Sequence, residues 1–158
     1  MKINAKHRVL LLVATLLCLA GCSSDGCFDN GSAVPLAGFY SATTGSGVTI
    51  DSLTVQGVGA PGDSCLALKE SVSQLYLPLR STTSTTQFSL DYNAATVAPD
   101  TITFHYTPVP TFVSRDCGAM FFYDIASVDY TTHLIDSVAV LYPTITNQDR
   151  VSIKIYMR

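Results

Sequence analysis

Strict alternation of apolar and polar residues is the feature that most restricts the fold of this chain. It runs through residues 87–92, 101–106 and 151–157. Because successive side chains of a strand point to opposite faces, this period of two predicts half-buried β-strands. The apolar positions that share a face are Phe88, Leu90 and Tyr92, then Ile102, Phe104 and Tyr106, then Val151, Ile153, Ile155 and Met157.

Other segments predict further strands with irregularities. Val48 and Ile50 share one parity while Leu53 and Val55 share the other, which predicts a bulge or turn near Asp51–Ser52.

Three further regions complete the predicted strands. The alternating leucines of residues 75–79 enclose Pro78, which lacks a ladder donor and predicts an edge strand. Residues 135–142 are apolar on both parities, as in a central strand, and residues 112–113 and 120–123 predict two short strands. About eight or nine strands separated by turn residues indicate an antiparallel β-sandwich of immunoglobulin-like or related topology over residues 35–158.

Composition agrees with an all-β chain. Ser and Thr make up 34 of the 158 residues, charged residues only 13 %, and Glu70 is the only glutamate. These residue types disfavour helices and favour strands and turns. No helical period longer than one turn is found after residue 21.

The N-terminus has the layout of a bacterial lipoprotein signal. Three basic residues precede an apolar run over residues 9–17, which is too short to span a bilayer. The following Leu19–Cys22 resembles a lipobox. We therefore expect a signal peptide at 1–21, lipidation with palmitate at Cys22, a tether at 22–34, and an anchor in the bacterial outer membrane on a face the sequence leaves open.

Removal of the signal peptide leaves six basic and twelve acidic residues, a net charge near −6. This balance argues against a nucleic-acid or anionic-membrane partner, which would require a basic patch. The remaining contact with a membrane is the lipid anchor itself.

Catalytic patterns are weak. Gly62-Asp63-Ser64 resembles the nucleophile block of serine hydrolases, but Cys65 follows it and the helices of the hydrolase fold are absent from the pattern. His105 and His133 have no His, Cys or Glu neighbour at metal-ligand spacing. We expect no catalytic residue, no cofactor and no metal site; a hydrolase is the least favoured alternative.

Aromatic residues support a second alternative. Phe121, Phe122 and Tyr123 are consecutive, so at least one must point away from the core if they form a strand. Tyr142 and Tyr156, together with Tyr130, are further candidates for an exposed surface that stacks on a glycan. A covering sheet or loop would equally account for them.

Several segments together resemble a family of small Bacteroidetes lipoproteins whose domain has no known function. They occur in a fixed order along nearly the whole chain after the signal. The segments are the lipobox with Cys27, Asp51–Val55, Ser71–Leu79, Asp100–Ile102, Thr107–Pro108, Phe112–Gly118, Met120–Phe121, Ile135–Val138 and Ile153–Tyr156. The resemblance implies one exported β-domain without an assigned activity.

Three cysteines remain after Cys22, and they allow three single disulfides. We expect Cys27–Cys117, because Cys27 lies on a tether, Cys117 precedes Gly118 at a turn, and the family resemblance places cysteines at both positions. Cys65 lies in a short apolar strand, where a lone cysteine is typically a small buried hydrophobe.

The function that these observations favour is a lipid-anchored β-domain of the cell envelope. We expect it to be a structural or binding accessory to an envelope assembly rather than an enzyme. A glycan-binding module is the alternative.

Overall fold

The chain is all-β in the computed structural model, which describes residues 32–59, 64–115 and 117–158. These residues form ten strands and no helix, and therefore no helix that could cross a membrane. The strands are β1 Leu36–Ser41, β2 Ile50–Gly57, β3 Cys65–Val72, β4 Gln74–Tyr76, β5 Thr85–Asp91, β6 Asp100–Ser114, β7 Gly118–Tyr130, β8 Ile135–Val140, β9 Thr144–Ile145 and β10 Val151–Met157.

The strands form two sheets. Sheet A has the order β4-β1-β10-β8, and sheet B has the order β3-β2-β5-β6-β7-β9. Every pairing is antiparallel except that of β1 with β10, which is parallel. The first and last strands of the domain therefore lie side by side in the middle of sheet A.

One core lies between the sheets. Side chains from three strands of each sheet, together with Leu77 just after β4, converge in its centre and leave almost no space between them. These residues are Ala37, Phe39, Leu75, Leu77 and Ile155 from the side of sheet A, and Val55, Leu90 and Ile102 from sheet B. This arrangement of antiparallel-rich sheets is consistent with the predicted β-sandwich.

The alternating segments form strands in the predicted register. In β5 and β6 the side chains of Phe88, Leu90, Ile102 and Phe104 are all at most 2 % exposed. The Phe88 and Phe104 rings meet edge to face with centroids 6.1 Å apart. The intervening positions of residues 85–91 and 101–105 are only partly buried, and Thr86 is a buried polar residue on the inner face. Alternation thus identified the inner face of sheet B.

The predicted irregularity near Asp51–Ser52 is confirmed. Ser52 has a φ of 55°, and the register of β2 against β3 shifts between Ile50 and Leu53. Asn93, itself at a φ of 50°, donates its Nδ2 to the Ser52 carbonyl at 2.7 Å and to Thr54 Oγ1 at 2.9 Å. The bulge is therefore held by a side chain from the segment after β5, and it reverses the parity of the apolar positions.

The two short strands predicted at residues 112–113 and 120–123 are instead the ends of one long hairpin. β6 has 15 residues and β7 has 13, and their pairing runs from Ile102–Tyr130 to Ser114–Gly118. Gly118 has a φ of 68°, a conformation that L side chains rarely adopt, as the turn requires. The prolines at 108 and 110 interrupted the sequence pattern without interrupting the pairing.

The two predictions of strand position had different outcomes. β4 is an edge strand, as predicted, but it ends at Tyr76 and does not extend through the alternating leucines to residue 79. The prediction of a central strand at residues 135–142 was wrong, because β8 lies at the other edge of sheet A. Val138 and Val140 pack on the core, whereas Leu141 and Tyr142 follow the strand and are exposed. The apolar run in the sequence therefore combines a core strand with exposed residues that follow it.

The register predicts unequal effects of one substitution at neighbouring positions. Leu90→Asp places a carboxylate at a site that is 1 % exposed, and it should abolish cooperative unfolding in urea. Ser89→Asp introduces the same group on the opposite, partly exposed face, and it should cost under about 1 kcal/mol. Equal losses of unfolding free energy in the two variants would show that the register is wrong.

Candidate functional site

The most elaborate polar cluster surrounds Asp100, the first residue of β6. Its side chain is fully buried and accepts five hydrogen bonds. Oδ1 accepts from Thr131 Oγ1 at 2.7 Å and His133 N at 2.8 Å, and Oδ2 accepts from Tyr92 Oη at 2.8 Å, Leu134 N at 2.8 Å and Ile135 N at 3.0 Å. These bonds use the acceptor capacity of a carboxylate.

The protonation of Asp100 reflects two opposing effects. Burial raises the pKa of the carboxyl. The hydrogen bonds from the Thr131 hydroxyl and from three backbone amides lower the pKa by a larger amount, so that it falls to about 2. The neighbouring Tyr92 shows the converse effect, because burial and its bond to Asp100 raise the pKa of its hydroxyl. Asp100 is therefore a carboxylate at any pH near neutrality.

The position of the cluster explains its role in the fold. Residues 131–134 carry the chain from β7 in sheet B to β8 in sheet A, and Asp100 binds the backbone of this crossover. His133 Nδ1 also lies 3.2 Å from Asp100 Oδ1, while the histidine side chain is 47 % exposed. The cluster is built to hold the crossover, with one edge of an imidazole at the surface.

A second Asp–His pair lies on the outer face of sheet B. His105 Nε2 lies 2.9 Å from Asp129 Oδ2, and the side chains are 41 % and 75 % exposed. His105 points outward, as the alternation of residues 101–106 implies, although its partner was not predicted. His105 and His133 thus each have a carboxylate as side-chain partner, and no group of three metal-ligating side chains occurs in the described part of the chain.

The predicted aromatic surface is present in part. Tyr142 is 40 % exposed, and Tyr130 and Tyr156 are half-buried. The rings of Tyr156 and Tyr40 have centroids 5.9 Å apart but are tilted by 44°, and Lys154 Nζ lies 4.5 Å from the Tyr40 centroid. Two coplanar exposed rings would form a flat apolar platform for one face of a sugar, and this tilted pair does not form one.

The far half of the β6–β7 hairpin carries three of the eight large hydrophobic residues that are exposed on the described surface, Val109, Phe112 and Phe121. From residue 107 on, β6 pairs only with β7, whose other neighbour β9 reaches no further than Tyr123. Phe112 is 70 % exposed and Phe121 41 % exposed, whereas Tyr123 is buried. Because residues 121–123 lie in β7, Phe122 points to the opposite face from the buried Tyr123, as predicted, whereas Phe121 shares the face of Tyr123 and is exposed because it lies past the end of the pairing with β9. We call residues 107–114 and 118–122 the hairpin end.

The cysteine predictions met with mixed outcomes. Cys65 is free, but the prediction that it is buried was wrong: it lies at the exposed start of edge strand β3, where its Sγ contacts the Ala67 carbonyl at 3.0 Å. Cys117 is not free. It lies in the hairpin turn, where its N–H donates a hydrogen bond to Ser114 Oγ at 3.0 Å. The pairing of Cys117 with Cys27 stays a prediction.

The other predicted N-terminal features lie outside the described residues. These are the signal peptide, the lipidated Cys22, Cys27 and the tether as far as residue 31. Gly62 and Asp63 also lie outside them, while Ser64 directly precedes β3.

The chain belongs to a family of unknown function, DUF6452, whose sequence model matches residues 52–157. This match covers more than half of the chain and confirms the expected domain of unknown function. No curated protein and no solved structure matches the chain.

The two Asp–His pairs allow a matched test of the Asp100 cluster. Asp100→Asn replaces one acceptor by an amide nitrogen that cannot accept from the crossover, and it should lower the unfolding free energy by about 3 kcal/mol at pH 7. Asp129→Asn removes an exposed pair and should cost under about 1 kcal/mol. Urea unfolding measures both.

The unfolding free energies of the native chain and of Asp100→Asn should depend differently on pH. Because folding lowers the pKa of Asp100 to about 2, its charge stabilises the fold fully above the ordinary pKa near 3.8 and progressively less as the pH falls towards 2. The difference between the native chain and Asp100→Asn should shrink by about 2 kcal/mol over this interval. A difference that stays constant from pH 7 to pH 2 would contradict the assigned charge state.

Proposed function

We propose that this protein is a lipid-anchored accessory domain of the bacterial outer membrane that binds another envelope protein through the hairpin end. It acts without a catalytic site, and its sandwich has an immunoglobulin-related topology. The observation that carries the binding role is the exposure of Phe112 and Phe121 on a hairpin that extends beyond the other strands of sheet B.

Exposed aromatic rings of this kind are typical anchors of protein interfaces. Large rings bury much apolar area at little entropic cost, and they fill pockets at the centre of an interface. Pro110 is the direct neighbour of Phe121 across the hairpin, and Ala119 that of Phe112, so these four side chains share one face. Their backbone is fixed by the ladder, which pre-organises the surface for binding.

The proposed anchor would place this surface beside the membrane. With a lipid on Cys22 and a disulfide between Cys27 and Cys117, the five residue steps from Cys22 to Cys27 reach at most about 17 Å. Cys117 lies in the turn of the hairpin. The hairpin end would thus lie within a short distance of the lipid surface, where membrane-bound partners are found.

The chemistry of the chain favours a protein partner over the alternatives. A net charge near −6 after the predicted processing disfavours direct binding to anionic lipid. The tilted Tyr40–Tyr156 pair gives less support to a glycan. In a hydrolase a catalytic histidine contacts both a carboxylate and a nucleophile, and among the described residues the side chains of His105 and His133 pair only with Asp129 and Asp100.

A photo-crosslinking amino acid at position 112 tests this function in the native host. Because Phe112 is the most exposed aromatic residue of the hairpin end, irradiation should give one discrete protein adduct. The matched control is position 68, since Leu68 is 64 % exposed on β3 at the edge of the same sheet, and it should give no adduct of that mass.

Two further variants separate the anchor from the binding surface. Cys22→Ala should abolish palmitate incorporation and the adduct together, whereas Phe121→Ser should abolish the adduct and leave the palmitate label unchanged. Adducts of equal yield at positions 68 and 112, or adducts to lipid alone, would contradict the proposed function.

A further inference from the structure

A cavity of about 160 Å³ opens at one end of the sandwich. It lies where the end of β2 meets β5 and the segment that follows β4. Its walls are mostly apolar, with Val58, Pro78, Leu79 and Phe88 among them, and Arg80 also lines it. No residue of the hairpin end lines it, so it is a separate feature of the described surface.

Arg80 is held in place through its backbone. Its N–H donates to Tyr106 Oη at 3.0 Å, and its carbonyl accepts from the same hydroxyl at 2.8 Å. Tyr106 is itself buried, and its hydroxyl lies 2.6 Å from Thr86 Oγ1. A buried network of side chains therefore fixes the point from which the guanidinium extends.

The guanidinium itself is poorly satisfied. Its Nε is buried without a hydrogen-bond partner, and its Nη1 makes one long bond to the Gly59 carbonyl at 3.4 Å. Among the described residues no carboxylate forms an ion pair with it. A guanidinium stays charged and presents five donors in a planar fork, and the described part of this site holds no anionic acceptor for those donors.

We infer that the cavity binds a small ligand consisting of a carboxylate and a short apolar group. The carboxylate accepts two hydrogen bonds from Arg80 in the bidentate geometry that suits both groups. The apolar group lies against Val58, Leu79 and Phe88. Cavities of roughly 150 Å³ in other proteins hold a benzene ring, so a group of that size fits.

The lining distinguishes a carboxylate from a phosphate. Phosphate sites gather several cationic side chains or backbone amides around a compact, highly hydrated ion. Here one cation faces walls that are mostly apolar. A monoanion with an apolar body matches both parts of the lining, and it could be a free acid or the C-terminal residue of a peptide.

Calorimetric titration of the full chain tests this inference. The probes are benzoate for a free acid and N-acetyl-leucine for a chain terminus, with benzamide and N-acetyl-leucinamide as their neutral counterparts. At least one acid should bind saturably, and its neutral counterpart should bind at least about tenfold more weakly, because a charge-assisted bond is lost. Inorganic phosphate should not bind.

Two variants assign the binding to this cavity. Arg80→Gln should weaken binding of the acid by about tenfold or more. Arg115→Gln removes an exposed arginine elsewhere and should leave the affinity unchanged. Val58→Trp fills the mouth of the cavity at a residue that is already 41 % exposed, so it keeps the test decisive if Arg80→Gln does not fold.

The outcomes separate the ligand sources from failure. Binding of benzoate alone assigns a free acid, binding of N-acetyl-leucine alone assigns a peptide terminus, and binding of both assigns the shared carboxylate chemistry. The inference is overturned if neither acid binds, if phosphate alone binds, if the neutral counterparts bind equally well, or if Arg80→Gln or Val58→Trp retains native affinity.

Discussion

The carboxylate of Asp100 is the interaction on which the arrangement of the two sheets depends. A buried charge is costly unless its hydrogen-bonding capacity is filled. Here three consecutive backbone amides and two hydroxyls fill it. The amides belong to the crossover between the sheets, so the bonds that make the burial of the charge tolerable also fix where β8 begins.

The strand pairing of sheet A follows from the position of this crossover. Once the crossover is fixed, β8 pairs with β10, and β10 pairs with β1 in parallel, which brings the two ends of the described chain together in sheet A. Arg158 N–H donates to the Leu134 carbonyl at 3.0 Å, so the last residue also binds the crossover. The hairpin end lies outside these pairings, and it is the surface that we propose for binding.

The sequence predicted what local patterns determine. Alternation is a property of neighbouring residues, so it identified the inner faces of β5, β6 and β10 and, through its reversal, the bulge at Ser52. It could not place β8, because the position of a strand in a sheet depends on pairing with distant residues. For the same reason Cys65 was expected inside, although an edge strand leaves it exposed.

The polar sites were beyond local prediction. Asp100 is one of eleven aspartates, and nothing near it in the sequence reveals that residues 131–135 will surround it. In the sequence, Asp100 is distinguished only as part of a segment in the family resemblance. Arg80 follows the Leu-Pro-Leu segment of residues 77–79 and precedes a Ser/Thr-rich loop. This pattern does not indicate the cavity that Arg80 lines. Both sites arise from contacts across the fold.

Hydrogen exchange at the crossover tests the central role of Asp100 most directly. The amides of Leu134 and Ile135 should exchange only through global unfolding, because they donate to a buried carboxylate. The amides of Thr43 and Thr44, which donate to Ser41 Oγ in an exposed turn, provide the comparison for local opening. Slow exchange at the crossover is the predicted result, and exchange there as rapid as in the turn would contradict the account.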